Sequence, residues 1–184
     1  MKTIKLLAVL FISALAFTAC SEDHDHDHDH DEELITTVIY TLTNTTNPND
    51  IVVMEYDDPD GEDGSATPTI TGGTLMANAT YTGTIQLLNR TESPAEDVTI
   101  EVQAEGDEHE FFYSAVGANV TISKTDVDGD NNPLGIETSV STGVASSGTL
   151  TVVLKHEPTK PNNGNPAAAG GTTDVEVTFN VTVQ

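Results

Sequence analysis

The chain has no tryptophan and one cysteine, and only six of its 184 residues are lysine or arginine, against 30 aspartates and glutamates. Each shortage excludes something. Cys20 has no partner within the chain, so neither an intramolecular disulfide nor a Cys-x-x-Cys motif can form. Without tryptophan or a second cysteine the Cys–Trp–Cys signature of immunoglobulin domains is absent. A net charge of −24 excludes nucleic acid as a partner, because contacting phosphates takes cationic side chains. There is no G-x-S-x-G elbow, no phosphate-cradling glycine loop and no H-E-x-x-H, so the expectation is a protein that is not an enzyme. A Ser/His/Asp triad, whose members need not be adjacent, stays open as the minor alternative.

The N-terminus has a recognisable order. Residues 1–5 are a short basic start, 6–17 a mostly apolar run, and Thr18 and Ala19 small residues before Cys20. Residues 1–19 read as a signal peptide, with an apolar run too short to remain as a membrane span. A small residue followed by cysteine resembles a bacterial lipobox, which implies cleavage before Cys20 and lipidation on it; ordinary secretion with a free thiol is the alternative. Several acyl chains would anchor the protein firmly, where one would be marginal. Ser21-Glu22-Asp23 resembles the surface-export signal of Bacteroidetes lipoproteins. That implies an outer-membrane lipoprotein exposed at the surface, with a periplasm-facing placement as the alternative.

Residues 20–33 form a tether, expected to be disordered, in which histidine and aspartate alternate. If it is extended, His24, His26, His28 and His30 share one side and the aspartates the other. His-x-His spacing lets two imidazoles reach one ion, and carboxylates can accept the outer N–H of a ligating ring. The tract therefore points to zinc, copper or nickel. A soluble spacer is the competing account.

Residues 34–184 read as one all-β domain. "TDVEVTFNVTVQ" (173–184) places Val175, Val177, Phe179, Val181 and Val183 on one face, and Leu150, Val152 and Leu154 repeat the alternation. Val98, Ile100, Val102 and Ala104 fit it too. Further strands are expected near 34–43, 51–56, 80–89, 109–114, 119–125 and 134–140, and no stretch keeps a helical apolar period over three turns. Twenty-eight threonines suit pleated surfaces. Turns rich in Asn, Asp, Gly and Pro separate the runs, and the longest, "KPNNGNPAAAGG", reads as a mobile loop. The expectation is a single antiparallel β-sandwich of eight or nine short strands, Ig-like in shape only.

Three groupings could bind ions. Asp126, Asp128, Asp130, Asn132 and Glu137 sit in "DVDGDNNPLGIE", whose acids match positions 1, 3, 5 and 12 of a twelve-residue calcium loop. Asn131 stands where such loops want glycine, although asparagine tolerates left-handed backbone, and a hairpin turn is the competing account. "DDPDGEDG" (57–64) packs five carboxylates into seven residues and reads as a solvated loop that could take calcium weakly. His109 is in phase with Phe111 and Tyr113, and His156 with Leu150, Val152 and Leu154. If those strands were neighbours, the imidazoles would meet at the rim of the core and could hold a transition metal, with Glu110 and Glu157 nearby. Otherwise each caps a core edge.

The segments "ITGGTL", "TYTGTIQLLN", "EHEFFYS", "LKHEP" and "TDVEVTFNVTVQ", after a His/Asp-rich start, resemble a group of uncharacterised Bacteroidetes (flavobacterial) lipoproteins. Members sometimes carry the label of a type 1 periplasmic binding fold, a bilobal α/β architecture for which this chain is too short and too rich in β patterning. The resemblance implies a role beside a TonB-dependent outer-membrane receptor in nutrient or metal uptake. The runner-up is a structural or adhesive surface module with calcium in its acidic loops.

Overall fold

A computed structural model describes residues 33–61 and 64–184; Cys20, the signal segment and the tract histidines His24, His26, His28 and His30 lie outside the described residues. The described chain is a mostly antiparallel all-β fold. The strands are β1 (Thr37–Asn44), β2 (Ile51–Asp57), β3 (Thr69–Thr71), β4 (Gly73–Leu75), β5 (Thr80–Asn89), β6 (Glu96–Asp97), β7 (His109–Val116), β8 (Val120–Lys124), β9 (Glu137–Thr142), β10 (Ser146–His156) and β11 (Thr172–Val183). Two short helices interrupt them, α1 (Thr99–Ala104) and α2 (Pro166–Ala169). One sheet runs β3-β2-β1-β5-β9-β8 with β6 beside β5; the other runs β4-β11-β10-β7. Eight strands of five residues or more match the expected eight or nine, and the remaining three are edge pieces of two or three residues. One pairing departs from the expected antiparallel pattern: β4 lies parallel to β11.

Period two builds the core. Along β5, Tyr81, Ile85 and Leu87 are buried while the threonines and glutamine between them face out. Tyr40, Leu42 and Met54 from the first sheet pack in one cluster with Leu150, Leu154, Val177 and Phe179 from the second. Gly83 completes that face because a Cβ there would lie 2.7 Å from the Tyr40 ring and 2.4 Å from the Thr138 hydroxyl.

The expected strand over 98–104 is instead α1. Val98 and Val102 are buried, and Ile100 is 69% exposed. Residues four apart share a side in both a strand and a helix, so only the middle position separates the two periods. The turn chemistry decides it: the Asp97 carboxylate accepts from the Thr99 amide at 3.1 Å, and Val102 N–H donates to the Val98 carbonyl at 3.1 Å. Ile100→Ala should therefore leave thermal stability within about 0.5 kcal/mol of the parent, whereas Val102→Ala should cost about 2 kcal/mol. Equal costs in urea melts would argue for a strand.

The loop read as mobile is also structured. Asn165 caps α2 by accepting from the amides of Ala167 and Ala168, and Ala169 packs with Phe112 and Val153 on the outer side of the second sheet.

Candidate metal centre

β7 and β10 are neighbours, and their register pairs His109 with His156 at one end of the ladder. Because both histidines are in phase with core residues, both rings turn inward; their residues are 0% and 7% exposed. His156 Nδ1 lies 3.1 Å from His109 Nε2, with the rings at right angles and their centroids 4.7 Å apart. The sequence condition for a shared site, that these strands adjoin, is met.

The carboxylates that join them are not the expected ones. Glu110, one residue along from His109, projects from the opposite face of β7, where it pairs with Lys124 and accepts from the Asn162 amide at 2.6 Å. Its place is taken by Glu33, from the segment before β1: Oε1 is 2.7 Å from His109 Nε2 and Oε2 is 3.6 Å from His156 Nδ1. Asp174 completes a cluster whose donor atoms all lie within 4.8 Å of one another. Asp174 is there because the β10–β11 register slips by one residue: Leu154 opposes Val175 but Lys155 opposes Thr173, so Asp174 is the inserted residue of a bulge. A bulge re-aims a side chain that strict alternation would send to the other face. Glu157, the other expected carboxylate, is exposed and groups with Glu108 and His156. Beside it, Gly171 has a φ of +66° and runs so close to the β10 end that a Cβ would sit 2.1 Å from the His156 carbonyl.

Local chemistry orients the ligands. His109 Nδ1 faces the carbonyl of Glu105, at the end of α1, at 3.1 Å. A carbonyl can only accept, so Nδ1 carries a proton. In the metal-free protein Nε2 carries a second one, donated to Glu33, and it offers its lone pair to the cluster once that proton leaves, with Nδ1 held as the outer partners of metal-bound imidazoles hold it. Burial alone would depress the His109 pKa, but the Glu33 hydrogen bond and charge, followed by the Glu105 carbonyl and Asp174, raise it overall. Burial pushes the Glu33 carboxyl up, yet its hydrogen bond to His109 and the charges of the two rings bring it below the ordinary value. Glu33 Oε2 is buried and makes no hydrogen bond among the described residues.

The 3.1 Å between the ring nitrogens and the 3.6 Å from His156 Nδ1 to Glu33 Oε2 are near the edges of a coordination tetrahedron, while the 2.7 Å from His109 Nε2 to Glu33 Oε1 is a hydrogen-bond length that would open to admit an ion. With metal–ligand bonds of 2.0–2.2 Å those edges are roughly 3.3–3.6 Å. Two imidazole nitrogens with one or two carboxylate oxygens suit a divalent transition ion; calcium takes six to eight oxygens at longer range. The cluster could hold a metal ion.

The acidic loop is put to another use. Asp126 accepts from the amides of Gly135 and Ile136 at 2.8 and 2.9 Å, and Asp128 from those of Asp130 and Asn132 at 2.9 and 2.8 Å. The Asp128 side chain is 0% exposed and ion-paired with Lys160 at 3.0 Å. Asn131 adopts the left-handed conformation, φ 64°, and Val127 bridges Pro133 across a tight turn. Among the described residues, Asp126, Asp128, Asp130, Asn132 and Glu137 do not draw together into a candidate ion cage; the loop is a turn tied by its own amides and one lysine. In the other acidic loop, Asp57 pairs with Arg90 and Asp60 accepts from two amides, while Asp58 is buried rather than solvated.

No family model matches this chain, and neither a characterised protein nor a solved structure was found to be similar to it.

Proposed function

We propose that this chain is a membrane-anchored lipoprotein that binds a divalent transition metal (zinc, copper or nickel) and serves a TonB-dependent uptake receptor. One observation carries the metal reading: two buried imidazoles and a buried carboxylate from three separate segments meet close to the spacing of a coordination shell. Such a grouping is costly to bury without a compensating cation or proton. The anchor rests on Cys20 and its flanking residues, and the receptor on the resemblance to flavobacterial lipoproteins.

The sequence divides the work. Glu33, a ligand of the domain centre, is also the last residue of the His/Asp tract, only three residues after His30. Three residues span at most about 10 Å. The tract would capture ions from solution with modest affinity, because ordering a floppy segment costs roughly 1–2 kcal/mol per residue fixed. The domain, whose ligands are held by sheet and helix, would retain them. Cobalt(II) titrated into the chain without its signal segment, followed by visible absorption, tests this. Replacing His24, His26, His28 and His30 with asparagine should remove the weaker sites and leave one tight site per chain. If the variant and the parent bind equal amounts with equal affinity, the tract is a tether; if the variant binds none, the domain centre does not exist.

A further inference from the structure

A cleft of about 370 Å3 adjoins the metal centre, and its polar lining comes from Tyr56, Asp58, Thr173, Asp174 and Glu176. Three acidic residues line it, and among the described residues no lysine, arginine or histidine does. Asp174 belongs both to this lining and to the histidine cluster, so the two are continuous through one side chain. Asp58 supplies the second observation. It is 5% exposed, its Oδ1 is buried without a hydrogen bond, and its Oδ2 accepts from the Tyr56 hydroxyl at 3.3 Å. Among the described residues the cations have other partners: Arg90 pairs with Glu55 and Asp57, Lys124 with Glu110 and Lys160 with Asp128, while Lys155 donates to the Gly171 carbonyl and the Thr173 hydroxyl. A carboxylate buried in this way is stabilised by a cation that brings its own charge and water.

We propose that the cleft is an oxygen-only subsite that takes up a hydrated divalent cation and passes it to the histidine centre, with Asp174 serving both. Carboxylates and a phenol are hard ligands that hold such ions loosely and exchange them readily. Six waters at about 30 Å3 each fill about half of the cleft, so an ion can enter with its hydration shell. A depression lined by one sign of charge concentrates the opposite sign and speeds its arrival. Inside, the imidazoles replace water, and the ion becomes more tightly held. The transfer step rests on the histidine reading above; the subsite does not.

The test uses the chain without its signal segment, with the four tract histidines replaced by asparagine so that they do not compete. Stopped-flow mixing with cobalt(II) at low salt should show that Asp58→Asn and Glu176→Gln each lower the association rate constant about tenfold. Dissociation should be unchanged, and the difference should shrink in high salt. Manganese(II), followed by paramagnetic resonance in a background that also carries His109→Asn, reads the subsite without the centre. One ion should bind weakly, and adding Asp58→Asn should weaken it at least about tenfold, since outer groups of metal sites carry effects of that size. Association rates unchanged in both cleft variants would overturn the transfer. Manganese binding indifferent to Asp58 would overturn the subsite. If the parent gives no cobalt spectrum, the histidine reading fails and the manganese comparison alone decides the cleft. Should Asp58→Asn not fold, Glu176→Gln, on an exposed position of β11, makes the same comparisons.

Discussion

His109→Asn is expected to abolish tight metal binding by the domain, lowering affinity at least about a hundredfold in competition with a chelating dye. Loss of an outer partner of a metal ligand already costs 10–100-fold, and His109 is placed to be a ligand itself. Its Nε2 is the atom on which the cluster closes, 2.7 Å from Glu33 and 3.1 Å from His156. Asparagine is chosen because it keeps a polar group facing the Glu105 carbonyl and leaves a smaller hole than alanine would. His156→Asn should behave in the same way. Glu110→Gln is the control: it is the immediate neighbour of His109 but turns to the other face toward Lys124, and should leave affinity unchanged. The background must lack the tract histidines, which would otherwise mask the loss. Unchanged affinity in both histidine variants would mean that the two rings merely fill the end of the core.

The parts of this centre differ in how far the sequence revealed them. His109 and His156 were legible because period two puts each in phase with an apolar face, and that face survives folding intact. Their adjacency was not, since nothing local says that β7 pairs with β10 across the 29 residues between Val116 and Ser146. Asp174 was hidden by the bulge: strict alternation from Val175 assigns it to the wrong side, and a one-residue slip in register leaves no signature in composition. Glu33 looked like the end of a charged tail, and only its 5% side-chain exposure marks it as part of the domain. Asp126 and Asp128 were ambiguous for another reason. Carboxylates at alternating positions read equally well as cation ligands or as acceptors for a tight turn's amides, and only the folded chain shows them accepting from the loop's own amides, with Lys160, distant in sequence, paired to Asp128. The helix α1, missed because Val98 and Val102 fit both periods, turns out to supply the carbonyl that fixes the His109 tautomer.

The metal-free and zinc-loaded forms should respond to pH in opposite directions. In the metal-free protein His109 carries a raised pKa, so its partnership with Glu33 contributes stability that is fully present below the ordinary histidine value of 6.5. That contribution is lost as pH rises through the raised value. The lowered Glu33 pKa sets the acid limit: its contribution is present above 4.5 and lost as pH falls through the depressed value. From this pair alone, metal-free stability should hold between 4.5 and 6.5 and then decline. Zinc takes the place of the proton on Nε2, so its affinity grows over the range in which that proton leaves. At a free zinc concentration a thousand times the dissociation constant, binding adds about 4 kcal/mol, or about 10 °C in Tm for a domain of this size. The zinc-induced shift should therefore be small near pH 5.5 and approach that size by pH 8. Glu33→Gln separates the causes. It removes the carboxylate that raises the His109 pKa and leaves the burial that depresses it, so the alkaline decline of the metal-free form should disappear. Zinc should bind this variant more weakly at pH 8, but the midpoint of its pH dependence should move to lower pH. Scanning calorimetry of parent and variant across pH 5–8, with and without zinc and in the tract-free background, reads all of these at once. A zinc shift that is the same at every pH would mean that the ion binds at groups other than His109, and a Glu33→Gln midpoint that does not move would dissolve the pairing on which the centre is built.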